Sequence, residues 1–388
     1  MEFAGIITEY DPFHNGHAAQ LAAVRQAGAK CIAVCMSSGA VQRGGVPILP
    51  DQVRARAALE AGADLVVALP APYACATAEQ FAAAGVFLLE ALGCDTLAFG
   101  AETPDAAALM QAASLLCGTE IQTLIRQNLS TGQTYAAARA QAADTLSSGT
   151  GALLRTPNNI LAIEYCKAIL TQEAAVTPLP LPRWGAAHGG APGAHEGVPM
   201  ASASYLREHT PEDWAPFVPA AAMELYRQAV ADGQLLAPQR METALLALLR
   251  TMPAEKLVDI RGISEGLENR LAAAIHDACG LEDLYDRLKT KRYPHARLRR
   301  LVLDAALGIP EQLPLPPFLL VLGGRRAALS RLKQARLPVG TSLADLVRTG
   351  AAAQQIGTIY SRAVDLSSLC RCKIQPMGLA FTAKPVLL

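Results

Sequence analysis

The first 27 residues change from a strand pattern to a helix pattern within a few positions. Residues 3–8 form a short apolar run with β-branched side chains, which predicts a buried strand. A break that contains Pro12 and Gly16 ends this run, and residues 17–27 then follow a helical period. The chain therefore begins as a strand, a tight loop and a helix. The free backbone N–H groups at such a helix start favour an anion such as a phosphate.

Two histidines stand at this helix start. His14 and His17 are three positions apart, so both rings can face one ligand. The sequence His-Asn-Gly-His resembles the signature of the HIGH-type nucleotidyltransferases, whose two histidines hold nucleotide phosphates. The resemblance implies donors that stabilise the charge built up by in-line attack on the α-phosphate. The spacing of the two histidines alone is weak support for a nucleotide site. The preceding strand and the presence of Pro12, Phe13 and Gly16 strengthen that interpretation.

Strand and helix patterns then alternate along the chain. Strands are predicted at residues 30–36, 64–69, 95–99 and 176–181, and helices at residues 53–61, 78–92 and 160–171. This alternation predicts an α/β fold with a doubly wound parallel sheet, of the nucleotidyltransferase-like Rossmann type.

Three domains are predicted. Residues 1–210 form a nucleotidyltransferase-like domain with a helical insertion at 104–148, residues 211–310 a helical domain, and residues 311–388 a small α/β segment. Residues 211–219 resemble a linker. Residues 185–199 are rich in glycine, alanine and proline, which predicts a mobile loop.

Composition excludes several classes of protein. The formal net charge is +0, so nucleic acid must be bound by a local basic patch. The nine cysteines lack zinc-like spacing, with Cys370 and Cys372 the only close pair, so no metal site is predicted. No signal peptide and no apolar run of ~20 residues is visible. These features predict a cytoplasmic protein with reduced thiols and no contact with a membrane.

Several loops follow the carboxyl ends of predicted strands, where ligands collect in open α/β sheets. They include Ser37-Ser38-Gly39, the polar Gln42–Gly45 segment and Gly100. An ordinary exposed loop, or a turn at Gly100, explains the same residues equally well.

Two helix starts carry further polar side chains. Asn158 and Asn159 follow Pro157 and are typical of a helix cap, although caps beside a nucleotide also contact base or ribose. Ser202, Ser204 and Arg207 resemble the second nucleotidyltransferase signature, which grips the β- and γ-phosphates. Alone they also fit a capped surface helix; their pairing with the upstream histidines favours the phosphate site.

A basic run lies between Arg287 and Arg300, with seven lysines or arginines and no acid. In a neutral chain such a run is typical of a surface that binds RNA phosphates, and an aromatic ring within it can stack on a base. A solvated helical face is the alternative. The candidate RNA-binding residues are Lys289, Lys291, Arg292, Tyr293 and Arg297, and the family resemblance described next implies that the RNA is a tRNA.

These segments together resemble the bacterial tRNA(Met) cytidine acetate ligase family. The resemblance covers residues 1 to about 310 and rests on Glu9–His17, Val41–Gly44, Phe99–Glu102, Pro157–Leu161, Ala201–Ser204, Ser264–Arg270 and Lys289–Tyr293. It implies that the protein uses ATP, accompanied by Mg²⁺, to activate acetate as acetyl-adenylate. The acetyl group is then joined to the wobble cytidine of elongator tRNA(Met).

The resemblance implies His14 and His17 as catalytic residues. It also implies an ATP site formed by Ile7, Thr8, Glu9, Tyr10, Asp11, Pro12, Phe13, His14, Asn15, Gly16, His17, Gly100, Asn158, Asn159, Arg183, Ser202, Ser204 and Arg207. The chain departs from the usual family pattern at Asp11, Asp51, Gln52 and Ala101.

Two rival functions remain open. One is an adenylyltransferase that acts on a small phosphorylated metabolite. The basic run between Arg287 and Arg300 argues against it, because such an enzyme needs no surface for RNA. A non-catalytic RNA-binding protein does not need His14, His17, Ser202 and Arg207 intact.

Overall fold

The structure, a computed structural model, describes residues 1–183, 190–264, 266–290 and 293–388. The strands are β1 (Phe3–Thr8), β2 (Cys31–Ser38), β3 (Leu65–Pro70), β4 (Thr96–Ala101), β5 (Thr177–Pro182), β6 (Gly193–His195), β7 (Val198–Met200), β8 (Leu319–Gly324), β9 (Val339–Gly340) and β10 (Val386–Leu387). The helices of the first half are α1 (Asn15–Gln26), α2 (Asp51–Glu60), α3 (Ala78–Leu92), α4 (Ala106–Cys117), α5 (Thr119–Ser130), α6 (Tyr135–Leu146), α7 (Thr150–Leu153) and α8 (Pro157–Thr171). Those of the second half are α9 (Ala203–Glu208), α10 (Ala220–Ala231), α11 (Pro238–Thr251), α12 (Leu267–Asp277), α13 (Leu281–Leu288), α14 (His295–Leu307), α15 (Leu343–Leu346), α16 (Ala351–Leu369) and α17 (Leu379–Thr382).

One mixed, mostly parallel sheet organises the chain, and it confirms the α/β fold. The strand order is β10-β8-β3-β2-β1-β4-β5, and β9 pairs with β8. All neighbours run parallel except β3 and β8, which are antiparallel. Among the five parallel strands β3-β2-β1-β4-β5, β1 lies in the middle, so the loop that follows it opens at the centre of their carboxyl edge.

The central strands are continuous apolar runs because helices or other segments cover both of their faces. Every side chain of β2 and β3 is buried. The helix α3 approaches β1 closely at two glycines. A Cβ on Gly5 would lie 2.6 Å from the Leu89 side chain, and one on Gly85 would lie 2.6 Å from Ile7. The absence of two side chains thus lets α3 lie directly on β1.

The segment 311–388 contributes to this same sheet. Its strand β8 pairs with β3 from the N-terminal half, and β10 pairs with β8. The nineteen-residue helix α16 also lies here and has no counterpart in the sequence predictions. The division into three domains stays a prediction, but these C-terminal strands extend the sheet of residues 1–210.

Two clusters of buried apolar side chains form the core. The larger surrounds the sheet, and the smaller lies among α11–α14 and one face of α16. A buried ion pair joins the helical region to the loop after β3. Arg261 contacts Asp304 at 2.8 and 2.7 Å, and its Nη1 donates to the carbonyl oxygen of Pro72 at 3.0 Å.

Two irregular segments differ from the sequence predictions. In the predicted mobile loop at 185–199, the antiparallel hairpin β6–β7 occupies part of the chain, while residues 184–189 lie outside the described ranges. The predicted linker at 211–219 contains a 3₁₀ helix, Pro211–Phe217. There the buried indole N–H of Trp214 donates to the carbonyl oxygen of Leu206 at 2.7 Å. A buried aromatic side chain therefore orders a segment whose proline content predicted an extended linker.

The helices predicted within 104–148 are present as α4, α5 and α6, and α4 packs against α8. Among the helices that the structure describes, none is long and apolar enough to cross a bilayer.

Candidate active site

The loop that follows β1 is held by a buried arginine. Arg54 in α2 is fully buried; it donates to the carbonyl oxygen of Glu9 and, at 2.9 Å, to that of Ser37. Its charge is matched by Asp51, 2.5 Å away. Tyr10 has a positive φ of 48°, which turns the chain sharply after the strand. These contacts fix the path of the backbone that leads to the two histidines.

His14 and His17 are stacked, with ring centroids 3.7 Å apart. The Nδ1 atom of His14 accepts from the N–H of Gly16 at 3.1 Å, and that of His17 accepts from the N–H of His14 at 3.3 Å. The two rings therefore form a capping box at the start of α1. Because Nδ1 accepts in both rings, each neutral imidazole carries its proton on Nε2 and can donate it to a ligand.

Both imidazoles are kept neutral. Burial lowers the pKa of His14 to about 3, and the positive charges of Arg183 and Arg207 act in the same direction. Burial, His14 and Arg183 hold the pKa of His17 well below its usual value. Both rings are partly exposed at the cleft, and the pKa of each is lowered. The pair thus presents two N–H donors without a fixed positive charge.

The segment from β7 to α9 lies against the histidine loop. Ser202 caps α9, and its Oγ accepts from the N–H of Tyr205 at 3.1 Å. Arg207 donates to the carbonyl oxygen of Asp11 at 2.6 Å. The Asn15 amide points away from the histidines and donates to the carbonyl oxygens of Pro199 at 2.8 Å and Pro216 at 3.1 Å. The hydrogen bonds of Arg207 and Asn15 therefore hold the histidine loop and the segment around α9 together.

A third wall comes from the start of α8. The carboxylate of Glu102 accepts from the backbone N–H of Asn159 at 2.7 Å and from the side chain of Asn158, also at 2.7 Å. It caps α8 from a distant part of the chain. The Asn159 side chain is occupied by the backbone and hydroxyl of Thr103. Arg183 lies 3.9 Å from the same carboxylate.

These walls enclose a cleft with a volume of about 400 Å³ at the carboxyl end of the sheet. Most residues of the predicted ATP site line it: Ile7, Thr8, Glu9, Tyr10, Asp11, His14, Gly16, His17, Gly100, Asn158, Arg183, Ser202, Ser204 and Arg207. Four predicted residues do not, namely Pro12, Phe13, Asn15 and Asn159. Phe13 is buried in the core, and both Asn15 and Asn159 bond other parts of the protein.

Gly100 lies at the tip of β4 and lines the cleft. A Cβ built on it would meet no atom within 4 Å, so packing inside the protein does not require glycine there. The missing side chain instead leaves space in the cleft itself. This placement favours the interpretation of Gly100 as a position that a ligand approaches closely.

Part of the lining was not predicted from the sequence. Apolar and aromatic side chains from four separate elements form this part of the lining: Phe81, Phe99, Leu161, Tyr165 and Leu181. No local pattern distinguishes them from core residues, because they meet only after the strands and helices assemble. Such a wall suits the flat face of a base.

Ser37 and Ser38, candidates at the end of β2, do not line this cleft. Both are fully buried. The Ser38 hydroxyl bonds the Asp51 carboxylate and lies 2.8 Å from the hydroxyl of Tyr360. Asp51, one of the departures from the family pattern, is thus part of a buried network on the opposite side of β2.

The acidic side chains of the cleft are already paired. Arg43 lies 2.5 Å from Asp11 and 3.8 Å from Glu9. Asp11 is 1% exposed and also accepts from the N–H of Ile48 at 2.7 Å. Arg43 therefore offsets part of the negative charge of these two carboxylates, and the cations that line the cleft itself are Arg183 and Arg207. These two guanidinium groups can pair with the phosphates of a nucleotide.

Magnesium has no dedicated set of protein ligands in this cleft. No group of three histidines, cysteines or acids able to hold a metal exists among the described residues. Glu9 and Asp11, the carboxylates on the wall, contact Arg43. A Mg²⁺ ion would therefore enter on the phosphates of the nucleotide, as it commonly does with few protein ligands.

The candidate tRNA-binding residues lie around the junction of α13 and α14. Lys289 follows α13 and is exposed, and the Arg297 guanidinium stacks over the ring of Tyr293 at 4.5 Å. Lys291 and Arg292 lie outside the described residues. The helix α14 is close to the nucleotide half of the protein, because Gly44 packs against its backbone at Arg299 and Arg300.

The sheet and its paired-histidine loop define a nucleotidyltransferase, and the family model described as HIGH Nucleotidyl Transferase matches residues 1–371. Two curated proteins, both called tRNA(Met) cytidine acetate ligase, show how far the similarity extends. The one from Syntrophotalea carbinolica is 35% identical over 88% of this chain and 85% of its own length. The one from a Geobacillus species is 32% identical over 89% of this chain and 90% of its own length. The chain therefore belongs to the tRNA(Met) cytidine acetate ligase family of enzymes.

Solved structures agree with the fold. A crystal structure of Thermotoga maritima TmcAL bound with alpha-thio ATP superposes with a TM-score of 0.90 at 24% identity, and each chain is covered completely. The apo form of the same protein gives a TM-score of 0.91.

Proposed function

We propose that this protein activates acetate with ATP as acetyl-adenylate and transfers the acetyl group to the wobble cytidine of elongator tRNA(Met). The observation that carries the proposal is the stacked pair of neutral histidines in a cleft that Arg183 and Arg207 also line. Membership of the ligase family supports the choice of substrates.

In the first step, a carboxylate oxygen of acetate attacks the α-phosphorus of ATP and pyrophosphate leaves. The Nε2–H groups of His14 and His17 donate to the phosphate oxygens on which charge develops. Arg207 and the hydroxyl of Ser202 hold the β- and γ-phosphates from the opposite wall. The aromatic wall that includes Phe81 and Phe99 receives the base. Magnesium accompanies ATP as part of the substrate.

In the second step, the exocyclic amine of the cytidine attacks the acetyl carbonyl carbon, the amine loses a proton, and AMP leaves. The base must leave the anticodon stack to enter the cleft, since its amine is otherwise out of reach. The exposed Lys289 and the half-buried Arg297 bind the RNA backbone. Lys291 and Arg292, which lie outside the described residues, are proposed from the sequence to bind the tRNA as well.

The identity of the acyl donor tests this proposal. Purified protein is incubated with elongator tRNA(Met) and one of two donors, acetate with ATP or acetyl-coenzyme A without ATP. Nucleosides are then analysed by mass spectrometry. Acetylcytidine is expected from acetate with ATP only. Its formation from acetyl-coenzyme A alone would remove the adenylate intermediate and the role given to His14 and His17.

A further inference from the structure

The loop between Val41 and Gly45 is a closed, well-defined turn. The N–H of Val41 donates to the carbonyl oxygen of Gly45 at 3.0 Å, and the N–H of Gly44 donates to that of Val41 at 3.0 Å. Gly44 takes a positive φ of 85°. The turn therefore presents Gln42 and Arg43 from a fixed backbone rather than from a loose loop.

One side of this turn is attached to the histidine loop. The N–H of Gln42 donates to the Glu9 carboxylate at 2.5 Å, and Arg43 pairs with the buried Asp11 at 2.5 Å. Glu9 and Asp11 lie on the segment that runs from β1 to His14. The position of Gln42 relative to the histidines is thus set by two short polar contacts.

The other side of the turn is attached to the basic helix α14. A Cβ added to Gly44 would lie 2.5 Å from the carbonyl carbon of Arg299 and 2.5 Å from the nitrogen of Arg300. The backbones of the turn and the helix are therefore in direct contact. The turn therefore forms the junction between the nucleotide cleft and the helix α14.

Gln42 has the chemistry and the freedom to bind a base at this junction. Its side chain lines the cleft and is partly exposed. Its carboxamide forms no hydrogen bond within the described parts of the chain, where only its backbone N–H is engaged. A carboxamide offers one acceptor and one donor side by side. The Watson–Crick edge of cytosine offers the complement, an N4–H donor beside the N3 acceptor.

We infer that the Gln42 carboxamide binds the Watson–Crick edge of the target cytosine, a role that rests on the proposed function. Its oxygen accepts one hydrogen of the N4 amine and its nitrogen donates to N3. The N4 lone pair, perpendicular to the plane of the base, stays directed at the acetyl carbon. Gln42 is thus a positioning residue for the acceptor, while the histidines act on the donor.

A double-mutant cycle between protein and RNA tests this contact. Wild-type protein and Gln42→Ala are compared on elongator tRNA(Met) that carries either cytidine or 3-deazacytidine at the wobble position, with acetyl transfer measured at subsaturating tRNA. The 3-deaza analogue replaces N3 by C–H and keeps the amine. Wild type should lose about tenfold in kcat/KM on the analogue, the scale of one hydrogen bond to a base. The Gln42→Ala variant should lose less than about twofold, since its contact with N3 is already absent.

Controls separate this contact from a general defect. Gln354→Ala, on the exposed face of α16, should behave as wild type on both RNAs. Melting temperatures and circular dichroism establish that each variant is folded, and Gln42→Asn provides a second variant that keeps the amide but shortens its reach. Equal losses on the analogue for wild type and Gln42→Ala would refute the role of Gln42 alone. A wild-type protein that acetylates neither RNA would refute the proposed function itself.

Discussion

The histidine pair owes its chemistry to backbone hydrogen bonds. Each Nδ1 accepts an N–H from the start of α1, so the proton of the neutral ring must sit on Nε2. A lysine or arginine at position 14 or 17 could supply charge but could not cap the helix in this way. The spacing of three residues thus serves the helix start and the ligand at once.

Replacement of His17 tests its role at the α-phosphate. His17→Ala removes one donor to the developing charge and should slow acetate-dependent exchange of pyrophosphate into ATP by about 10²–10³-fold, or ~3–4 kcal/mol of barrier. Radiolabelled pyrophosphate measures the rate. His209 is an exposed histidine at the C-terminal end of α9, so His209→Ala provides a matched histidine control. Near-normal exchange in His17→Ala would leave the pair with a purely structural role as a helix cap.

The lowered pKa values predict how His14 and His17 respond to pH in the free protein. Below about 6.5 the unfolded chain binds protons that the folded rings exclude. Stability contributed by the neutral pair is therefore present above pH 6.5 and is lost as the pH falls towards 3. Imidazole carbon-bound protons of both residues, followed by NMR from pH 5.5 to 8, should show no titration. A midpoint near 6.5 for either ring would contradict the neutral pair.

At the scale of a residue, the sequence predicted the polar half of the cleft much better than its apolar half. His14 and Ser202 cap helix starts, and Arg207 follows within one short helix, so their positions have a local signature. Phe99 and Tyr165 have none, because an aromatic residue at the end of a strand or within a helix has the same local pattern in any core. Their place in the cleft depends on how β4 and α8 meet.

At the scale of elements, the turn at Val41–Gly45 and the helix α14 behave as one unit. Gly44 is required for two reasons: its positive φ, and the 2.5 Å that a Cβ would leave to the α14 backbone. The second reason separates it from Gly132, which has a similar backbone conformation. Gly132, with a φ of 88°, would meet nothing within 4 Å.

This pair of glycines allows a controlled stability experiment. Both Gly44→Ala and Gly132→Ala carry a left-handed backbone penalty of about 1–2 kcal/mol. Gly44→Ala adds a clash with backbone atoms that cannot rotate away, so it should cost about 1–3 kcal/mol more in the free energy of unfolding. Urea denaturation measures both variants. Equal losses would show that the turn and α14 do not press against each other.

The basic surface makes a separate prediction about RNA. Replacing Lys289 and Arg297 by Ala should weaken tRNA binding and reduce the slope of log affinity against log salt by about 1 for each residue in contact with a phosphate. Filter binding between low and moderate salt measures this slope. A control with the exposed Lys333 and Arg348 changed to Ala carries the same loss of charge elsewhere. An unchanged slope in the Lys289 and Arg297 variant would favour a merely solvated helical face.

The elements that sequence patterns predicted are those with a strong local period. The strands β1 to β5 and the helix α3 lie within one or two residues of their predicted bounds. The hairpin β6–β7 was missed because each of its strands has only three residues, too few for a visible alternation. The 3₁₀ helix near Trp214 was hidden by prolines that also suit a linker.

At the scale of the whole molecule, the C-terminal segment connects parts that are far apart in sequence. It adds β8 to the sheet beside β3, and its helix α16 contributes to the core of the helical region. Sequence reasoning left the role of residues 311–388 open, since neither contact has a local signature. The packing of α14 against the turn at Val41–Gly45 likewise depends on tertiary structure.

The contact between the turn at Val41–Gly45 and α14 still leaves the first step independent of RNA. The histidines, Arg183 and Arg207 line the cleft without any contribution from Lys289 or Arg297. Acetyl-adenylate should therefore form before tRNA binds, and the basic surface should matter only for transfer.

Exchange of radiolabelled pyrophosphate into ATP, measured with and without acetate and with and without tRNA, tests this central claim most directly. Wild-type protein should catalyse exchange that requires acetate and proceeds without tRNA. The Lys289 and Arg297 double variant should retain that exchange while losing acetylation of tRNA. Absence of acetate-dependent exchange in the wild-type protein under every condition would contradict the account, because the cleft would then not perform the adenylation assigned to it.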